Sequence, residues 1–398
     1  MTERWLTIIG LGEDAALSST ARAIIDGATT IFGGARHLAL IGPTQAAQRP
    51  WPSPFSLGVA QVIERRGAPT VVLASGDPFF FGVGATLAEQ IAPEEIFCLP
   101  APSTFALVAA RLAWSQQDCA LLSLHGRAFE RVTPHLQPGR RIIALSWDET
   151  TPARLAAHLA ARGFARSCVH VLENLGGPRE RIRSALAAEF ALQDISPLNA
   201  VAVELLADPD ARVIPLTPGL PDEWFEHDGQ LTKRDVRAIT LAALAPRKGE
   251  RLWDIGAGAG SIAIEWMLAD PANHAVAIER DETRAARIAR NAAKLGVPDL
   301  EIVRGAAPAA LGGLARPDAV FIGGGGRDTL DFAWAALPRG GRIVVNAVTI
   351  ETQALLFDAF AAHGGDLVQV QIARARAVGR FHGLDPAMGV LQWRGRKP

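Results

Sequence analysis

Lysine is almost missing from this chain of 398 residues, occurring only at Lys233, Lys248, Lys294 and Lys397. Nor is there a charge excess of either sign: 40 basic residues face 41 acidic ones, for a formal net charge of -1. A dedicated nucleic-acid binder usually carries a basic excess or a Lys/Arg run, so neutrality argues against that class. The basic residues are nearly all arginine, which pairs bidentately with carboxylates and suits a polycarboxylate partner. A compositional bias that also enriches alanine accounts for the arginines equally well. Cysteine is sparse too. Cys98, Cys119 and Cys168 lie far apart, without metal-ligand spacing and without the even number of a disulfide framework. Reduced thiols in a cytoplasmic protein are therefore expected. No apolar run approaches membrane-spanning length. Met1-Thr2-Glu3-Arg4 leads straight into a strand pattern rather than a signal peptide.

What is present is apolar surface in quantity. Hydrophobic residues make up 49% of the chain and charged residues 20%, enough for two domains that each bury a core. The first half alternates short apolar runs with amphipathic stretches, the pattern of an α/β fold. Strands are expected over 5–9, 70–74, 96–99, 120–124, 141–145, 168–172 and 200–205. Helices are expected over 18–26, capped by Ser18 or Ser19, and over 83–91. Pro209, Pro215, Pro218, Gly219 and Pro221 then crowd one stretch, which reads as a linker over 208–221. It divides a domain over 1–207 from one over 222–398. The second opens with a helix over 232–244, whose apolar residues Val236, Ile239 and Ala243 share helical spacing. Strands follow over 252–255, 275–278, 300–303, 319–322 and 342–345, with two more after Asp366.

The sharpest motif is Asp254-Ile255-Gly256-Ala257-Gly258-Ala259-Gly260, a strand running into a glycine-rich turn that opens a helix. Glycines there let the backbone approach a ligand and adopt positive φ. A dinucleotide site wants Gly-x-Gly-x-x-Gly, with pyrophosphate on the helix N-terminus. Here the spacing is Gly-x-Gly-x-Gly, and the acid Asp254 precedes it, which favours a ligand with a cationic end such as S-adenosylmethionine. Glu279 ends the next strand, where an acid hydrogen-bonds ribose hydroxyls. A nicotinamide site and an empty structural turn are the alternatives. Gly305-Ala306-Ala307-Pro308 ends the third strand, where adenine is held in such folds. Gly323-Gly324-Gly325-Gly326 ends the fourth, leaving room for a bulky flat acceptor or forming only a flexible loop.

In the first half three turns sit at expected strand ends: Gly10-Leu11-Gly12, Gly76-Asp77-Pro78 and Pro102-Ser103-Thr104. Together they would ring one cleft at the carboxyl edge of a sheet. His125 follows a strand and is either a general base or a satisfied structural histidine.

These residues, with Gly33-Gly34-Ala35-Arg36-His37-Leu38, Pro100-Ala101-Pro102-Ser103 and Leu124-His125-Gly126-Arg127, resemble the tetrapyrrole methylase family. Leu231-Thr232-Lys233-Arg234-Asp235-Val236-Arg237, Trp253 to Gly258 and Phe321 to Gly325 resemble the class I precorrin methylases. In this order on one chain, they resemble the fused, decarboxylating methyltransferases of cobalamin biosynthesis. The resemblance implies a two-subdomain tetrapyrrole methylase fold followed by a Rossmann-like class I methyltransferase fold, in a homo-oligomer. It implies methylation of precorrin-6B at C5 by the first domain. The second domain would methylate C15 and decarboxylate the ring C acetate, giving precorrin-8.

S-adenosylmethionine would be held in the second domain by Thr232, Asp254, Gly256, Gly258, Gly260, Glu279, Ala306, Ala307 and Gly323. In the first domain Gly10, Gly12, Gly76, Asp77, Ser103 and Thr104 would hold it. Where the family often has Gly-Asp-Ala-Pro, Ala306 replaces the acid, which weakens contact to the adenine amino group. Arginine or lysine would anchor substrate carboxylates, with Lys233, Arg234 and Arg237 as candidates, and Asn346 would orient the acetate. No metal is required. The competing readings are an RNA methyltransferase, or one catalytic domain joined to a second that only senses the cofactor.

Overall fold

Residues 4–398 are described by a computed structural model; Met1, Thr2 and Glu3, on which the reading of the N-terminus rests, lie outside the described residues. The chain forms two compact units. One runs up to Arg127 and includes His135–Arg212; the other comprises Ala128–Pro134 and Val213–Pro398.

Strands that are apolar on both faces must be covered on both faces, which is the situation of a parallel sheet. The first unit begins with such a sheet: β1 (Leu6–Leu11), β2 (Thr30–Gly33), β3 (Ala47–Pro50), β4 (Thr70–Ser75) and β5 (Ile96–Leu99). They lie in the order β3-β2-β4-β1-β5, all parallel. β2 and β3 are not among the strands expected from the sequence. β2 has only four residues, and β3 is Ala-Gln-Arg-Pro at the sheet edge, exposed throughout, so it carries no apolar signal. The chain leaves β1 toward β2 on one side, and leaves β4 toward β5 on the other. At such a reversal a crevice opens outside the strands' carboxyl ends.

A second sheet holds β6 (Cys119–Ser123), β7 (Arg141–Leu145), β8 (Cys168–Glu173), β9 (Arg181–Leu186) and β10 (Asn199–Glu204). Its order is β6-β7-β10-β8-β9. Only β6 and β7 pair in parallel; the other pairings are antiparallel. Glu173, at 0% exposure, accepts hydrogen bonds from Arg181 Nη2 at 2.6 Å and from the Ser196 N–H at 2.8 Å. It ties β8 to β9 and to the loop that follows.

The second unit is a seven-stranded sheet of β11 (Arg251–Ile255), β12 (His274–Glu279), β13 (Glu301–Arg304), β14 (Ala319–Ile322), β15 (Arg342–Ala347), β16 (Asp366–Val370) and β19 (Val390–Arg396). The order is β13-β12-β11-β14-β15-β19-β16. The first five strands are parallel, and β19 runs antiparallel between β15 and β16. Apolar clusters cover both faces, with Trp253, Trp266 and Trp393 fully buried. After Asp366 there are four strands rather than two, because an exposed hairpin, β17 (Ala373–Val378) and β18 (Phe381–Pro386), is inserted. Strand order reverses between β11 and β14, so the two glycine loops that follow them flank one crevice.

Two local expectations change. The helix Arg234–Leu244 buries Arg237, Thr240, Leu241 and Leu244, not the apolar stripe of Val236, Ile239 and Ala243. Two polar residues turn inward because buried partners satisfy them. The proline-rich stretch before it is also docked: Ile214 and Leu220 join the core of the second unit. The Glu265 carboxylate accepts from the N–H groups of Gly219 at 2.6 Å and Leu220 at 3.0 Å.

Candidate active site

Each unit has a cavity at the carboxyl edge of its parallel sheet. In the first unit the three glycine and proline turns meet. The Gly76 N–H donates to Leu11 O at 2.9 Å, and the Ala101 N–H donates to Gly76 O at 3.1 Å. A Cβ on Gly10 would lie 1.9 Å from Gly76 O, so the β1 and β4 turns can close only over glycine. Asp77, Ser103 and Thr104 line a cavity of about 220 Å³, with Phe80, Phe81 and Phe105 on its apolar side. Ser103 Oγ accepts from the Ala106 N–H at 3.2 Å and so caps the helix Thr104–Leu112. Gly10, Gly12 and Gly76 shape the turns without lining this cavity.

His37 and Ser75, neither given a role from sequence, line the same cavity, and Arg36 contacts both. Arg36 Nη2 lies 3.0 Å from Ser75 Oγ and 3.1 Å from His37 Nε2, and Ser75 Oγ is 2.9 Å from that same nitrogen. A guanidinium only donates, so His37 Nε2 accepts, and the imidazole is neutral with its proton on Nδ1. Burial, and then the charge of Arg36, push His37 down to about 4, which keeps it neutral at physiological pH. His125, by contrast, is exposed and packs against Trp147 with ring centroids 5.7 Å apart.

In the second unit Gly256, Gly258 and Gly260 all have positive φ, at 74°, 58° and 75°. A Cβ on Gly256 would lie 3.1 Å from Gly324 N, and one on Gly260 would lie 2.7 Å from Ile288 Cγ2. This is a cradle that side chains would fill. Glu279 accepts from the Gly258 N–H at 2.9 Å and the Asp281 N–H at 3.0 Å, so it fixes the glycine loop while facing the cavity. That cavity, about 310 Å³, is also lined by Gly305, Ala306, Ala307 and Gly323. A larger cavity of about 470 Å³ adjoins it, lined by Thr232, Lys233, Asn346, Arg374 and apolar side chains that include Phe321, Val370 and Met388. The two share Gln230, Gly256, Arg284 and Gly323.

Three candidates are placed differently from the sequence reading. Arg237 is fully buried, donating to Glu265 Oε1 at 2.6 Å and Asp222 Oδ1 at 3.0 Å, so it cannot anchor a substrate. Arg234 is exposed beside Gly219 and does not line the larger cavity, whereas its neighbour Lys233 does. Asp254 is fully buried behind the glycine loop. Its Oδ2 accepts from the Ala263 N–H at 3.0 Å, and its Oδ1 has no partner among the described residues. It therefore does not face either cavity directly. Arg284 and Arg374 are wall residues that the sequence reading misses. Arg374 lies on the inserted hairpin and pairs with Asp235 across 139 positions, a separation that no local motif signals.

Burial, more than the hydrogen bond or the nearby Glu279, determines the acidity of Asp254 and pushes it up to about 7. A carboxyl whose folded-state pKa is raised stabilises the fold below its unfolded pKa and loses that contribution as pH rises through the folded value. The second unit is thus expected to lose stability between about pH 4 and pH 7 on account of this group. Asp254→Asn keeps an acceptor for Ala263 and should flatten that slope in denaturant titrations across pH 5 to 8. An unaltered slope would assign the pH dependence elsewhere.

No helix among the described residues is long and apolar enough to cross a membrane. Nor does any group of three or more His, Cys, Asp or Glu among them stand close enough to hold a metal ion.

Comparison with known proteins agrees with this division. The family of tetrapyrrole (corrin/porphyrin) methylases matches residues 6–191, and the precorrin methyltransferase domain family matches residues 223–397. A precorrin-6Y C(5,15)-methyltransferase [decarboxylating] of a Sinorhizobium species is 53% identical over 394 residues, covering 98% of this chain and 95% of that protein. The protein of the same name from Mycobacterium tuberculosis is 42% identical over 398 residues, covering 98% of each. A probable cobalt-precorrin-6B C(15)-methyltransferase (decarboxylating) of Pyrobaculum calidifontis is 37% identical over 173 residues, covering 42% of this chain and 89% of that protein. With both halves matched in order and its relatives aligned almost end to end, the chain belongs to the family of decarboxylating precorrin-6Y C(5,15)-methyltransferases.

Proposed function

We propose that this chain methylates precorrin-6B at C5 and C15 and decarboxylates its ring C acetate to give precorrin-8, with S-adenosylmethionine as methyl donor. The observation that carries the reading is the pair of adjoining cavities in the second unit. One is polar and glycine-lined, with Glu279; the other is larger, with apolar side chains beside a few cationic ones; they share Gly256 and Gly323. That is the arrangement a donor and a bulky acceptor need.

In the second unit Gly256, Gly258, Gly260, Glu279, Ala306, Ala307 and Gly323 would hold S-adenosylmethionine, with Thr232 at the edge and Asp254 behind the loop. In the first unit Asp77, Ser103 and Thr104 would hold it, on turns shaped by Gly10, Gly12 and Gly76. When bound, that cofactor supplies an electrophilic methyl group. The acceptor is an enamine-like carbon and already nucleophilic, so the protein's task is alignment and exclusion of water. Glycines at the junction permit close approach of a flat macrocycle. Lys233, Arg284 and Arg374 on the cavity wall are suited to the peripheral carboxylates. Arg234 has no place on that wall and is left out of the anchor set. By this reading C5 methylation belongs to the first unit, and C15 methylation with decarboxylation to the second. The Pyrobaculum relative supports such separability, since a protein aligned with 42% of this chain is named for the C(15) and decarboxylating steps alone.

Anaerobic incubation of the purified chain with precorrin-6B and excess S-adenosylmethionine is expected to give a product heavier by two methyl groups and lighter by one carbon dioxide. Titration calorimetry should count two cofactor sites per chain. An unchanged tetrapyrrole with both sites filled would refute the substrate assignment. One methyl with a single filled site would refute the assignment of catalysis to both units.

A further inference from the structure

A buried polar chain ends on the wall of the larger cavity in the second unit. Gln392, on β19, and Thr240, on the helix Arg234–Leu244, both have 0% exposure. Asn346, at the end of β15, is half-buried and lines the cavity. Arg394 Nε donates to Gln392 Oε1 at 2.7 Å. A guanidinium has no acceptor, so this contact fixes which way the Gln392 amide faces. Its Nε2 then donates to Thr240 Oγ1 at 3.1 Å and to Asn346 Oδ1 at 2.8 Å. The Thr240 hydroxyl gives its own proton to Val236 O at 2.8 Å. Its oxygen is therefore left to accept, and it accepts from Asn346 Nδ2 at 3.0 Å. Each donor and acceptor in the chain is thus assigned. Asn346 cannot flip without setting two donors against each other, and one of its Nδ2 protons remains for the cavity.

We infer that Gln392 and Thr240 are positioning residues that lock Asn346 so that a neutral N–H donor, rather than a cation, meets the acetate carboxylate that is lost. This rests on the proposed assignment of decarboxylation to the second unit. The choice of a neutral donor has a physical reason. In the reaction the bond from the acetate methylene to its carboxyl carbon breaks, and the electron pair passes into the conjugated imine system of the macrocycle. Carbon dioxide leaves, and one proton from solvent later returns to that carbon to complete a methyl group. Negative charge leaves the carboxylate, so an ion pair there would stabilise the ground state more than the transition state and slow the step. An amide N–H orients the group without that penalty, and the buried Phe321, Val370 and Val390 give it an apolar wall. The cationic Lys233, Arg284 and Arg374 are left for carboxylates that stay.

The test is single-turnover release of carbon dioxide by the full chain with precorrin-6B and saturating S-adenosylmethionine, alongside cofactor affinity and thermal midpoint. Thr240→Val keeps the shape and removes the acceptor; Thr240→Ser keeps the hydroxyl. Valine is expected to slow release about tenfold, the scale of one lost directed hydrogen bond, and serine less than about threefold. Gln392→Met should match or exceed the valine effect, with cofactor affinity unchanged. Equal rates for Thr240→Val and Thr240→Ser would overturn the inference, as would an unslowed, folded Gln392→Met. If Gln392→Met does not fold, the Thr240 pair decides alone. Asn346→Leu separates the two levels. Normal release in that variant removes the acetate from Asn346 altogether. Slow release in it, with normal release in the Thr240 and Gln392 variants, keeps Asn346 and removes its positioning by the chain.

Discussion

Gly256→Val is expected to lower the affinity of the second unit for S-adenosylmethionine by at least about a hundredfold and to suppress its chemistry by more. Two effects add. The residue has φ of 74°, a region that a β-branched side chain adopts only under strain. The new Cβ would also lie 3.1 Å from Gly324 N, and the further methyls would enter the neck shared by the two cavities. A narrowed neck separates donor from acceptor, and small misplacements there cost rate steeply. The substitution leaves the first unit intact. Calorimetry should therefore fall from two cofactor sites to one, and the tetrapyrrole product should gain a single methyl and keep its carboxyl group. Two sites of unchanged affinity would show that the glycine loop does not hold the cofactor.

Arg237→Met is expected to destabilise the second unit by about 3–5 kcal/mol, the usual cost of stranding one partner of a buried ion pair. Arg237 has 0% side-chain exposure and Glu265 3%. The guanidinium also donates to Thr232 O at 2.5 Å and to Leu220 O. Its loss leaves the Glu265 carboxylate and two carbonyls short of donors, and it releases the docked segment around Leu220. Thr232 lines the larger cavity, so if that cavity takes the tetrapyrrole as proposed, weaker substrate binding should accompany the lower midpoint. Adding Glu265→Gln should restore part of the stability, because a neutral amide no longer needs a cation. Urea unfolding of both variants measures this. Lys233→Ala, at an exposed position, serves as the reference and should shift stability by no more than about 0.5 kcal/mol. A loss as small as that for Arg237→Met would mean that the pair is not buried in solution.

The glycine loops were legible in the sequence because their signal is local: strand, positive-φ glycines and helix are consecutive, and Glu279 ends the next strand. The turns at Gly10, Gly76 and Ser103 were legible for the same reason. Arg237 was misread because helical spacing reports which residues are apolar, and this helix turns two polar ones inward. β3 and the β17–β18 hairpin escaped because exposed strands have no apolar run. Arg284 and Arg374 escaped because nothing near them in sequence marks a cavity wall.

The sequence alone determined two α/β domains in series and the glycine-rich turns that follow their strands, all properties of short contiguous segments. Tertiary structure decided which arginine lines a cavity and which is buried. It withdrew Asp254 behind the loop and brought His37 and Ser75 onto one cavity wall, with Arg36 in contact with both. It also closed the chain from Arg394 through Gln392 and Thr240 to Asn346. Those outcomes depend on hydrogen bonds and desolvation between residues up to 152 positions apart, and the energy of burying a charge or an amide is set by partners that only the folded chain supplies.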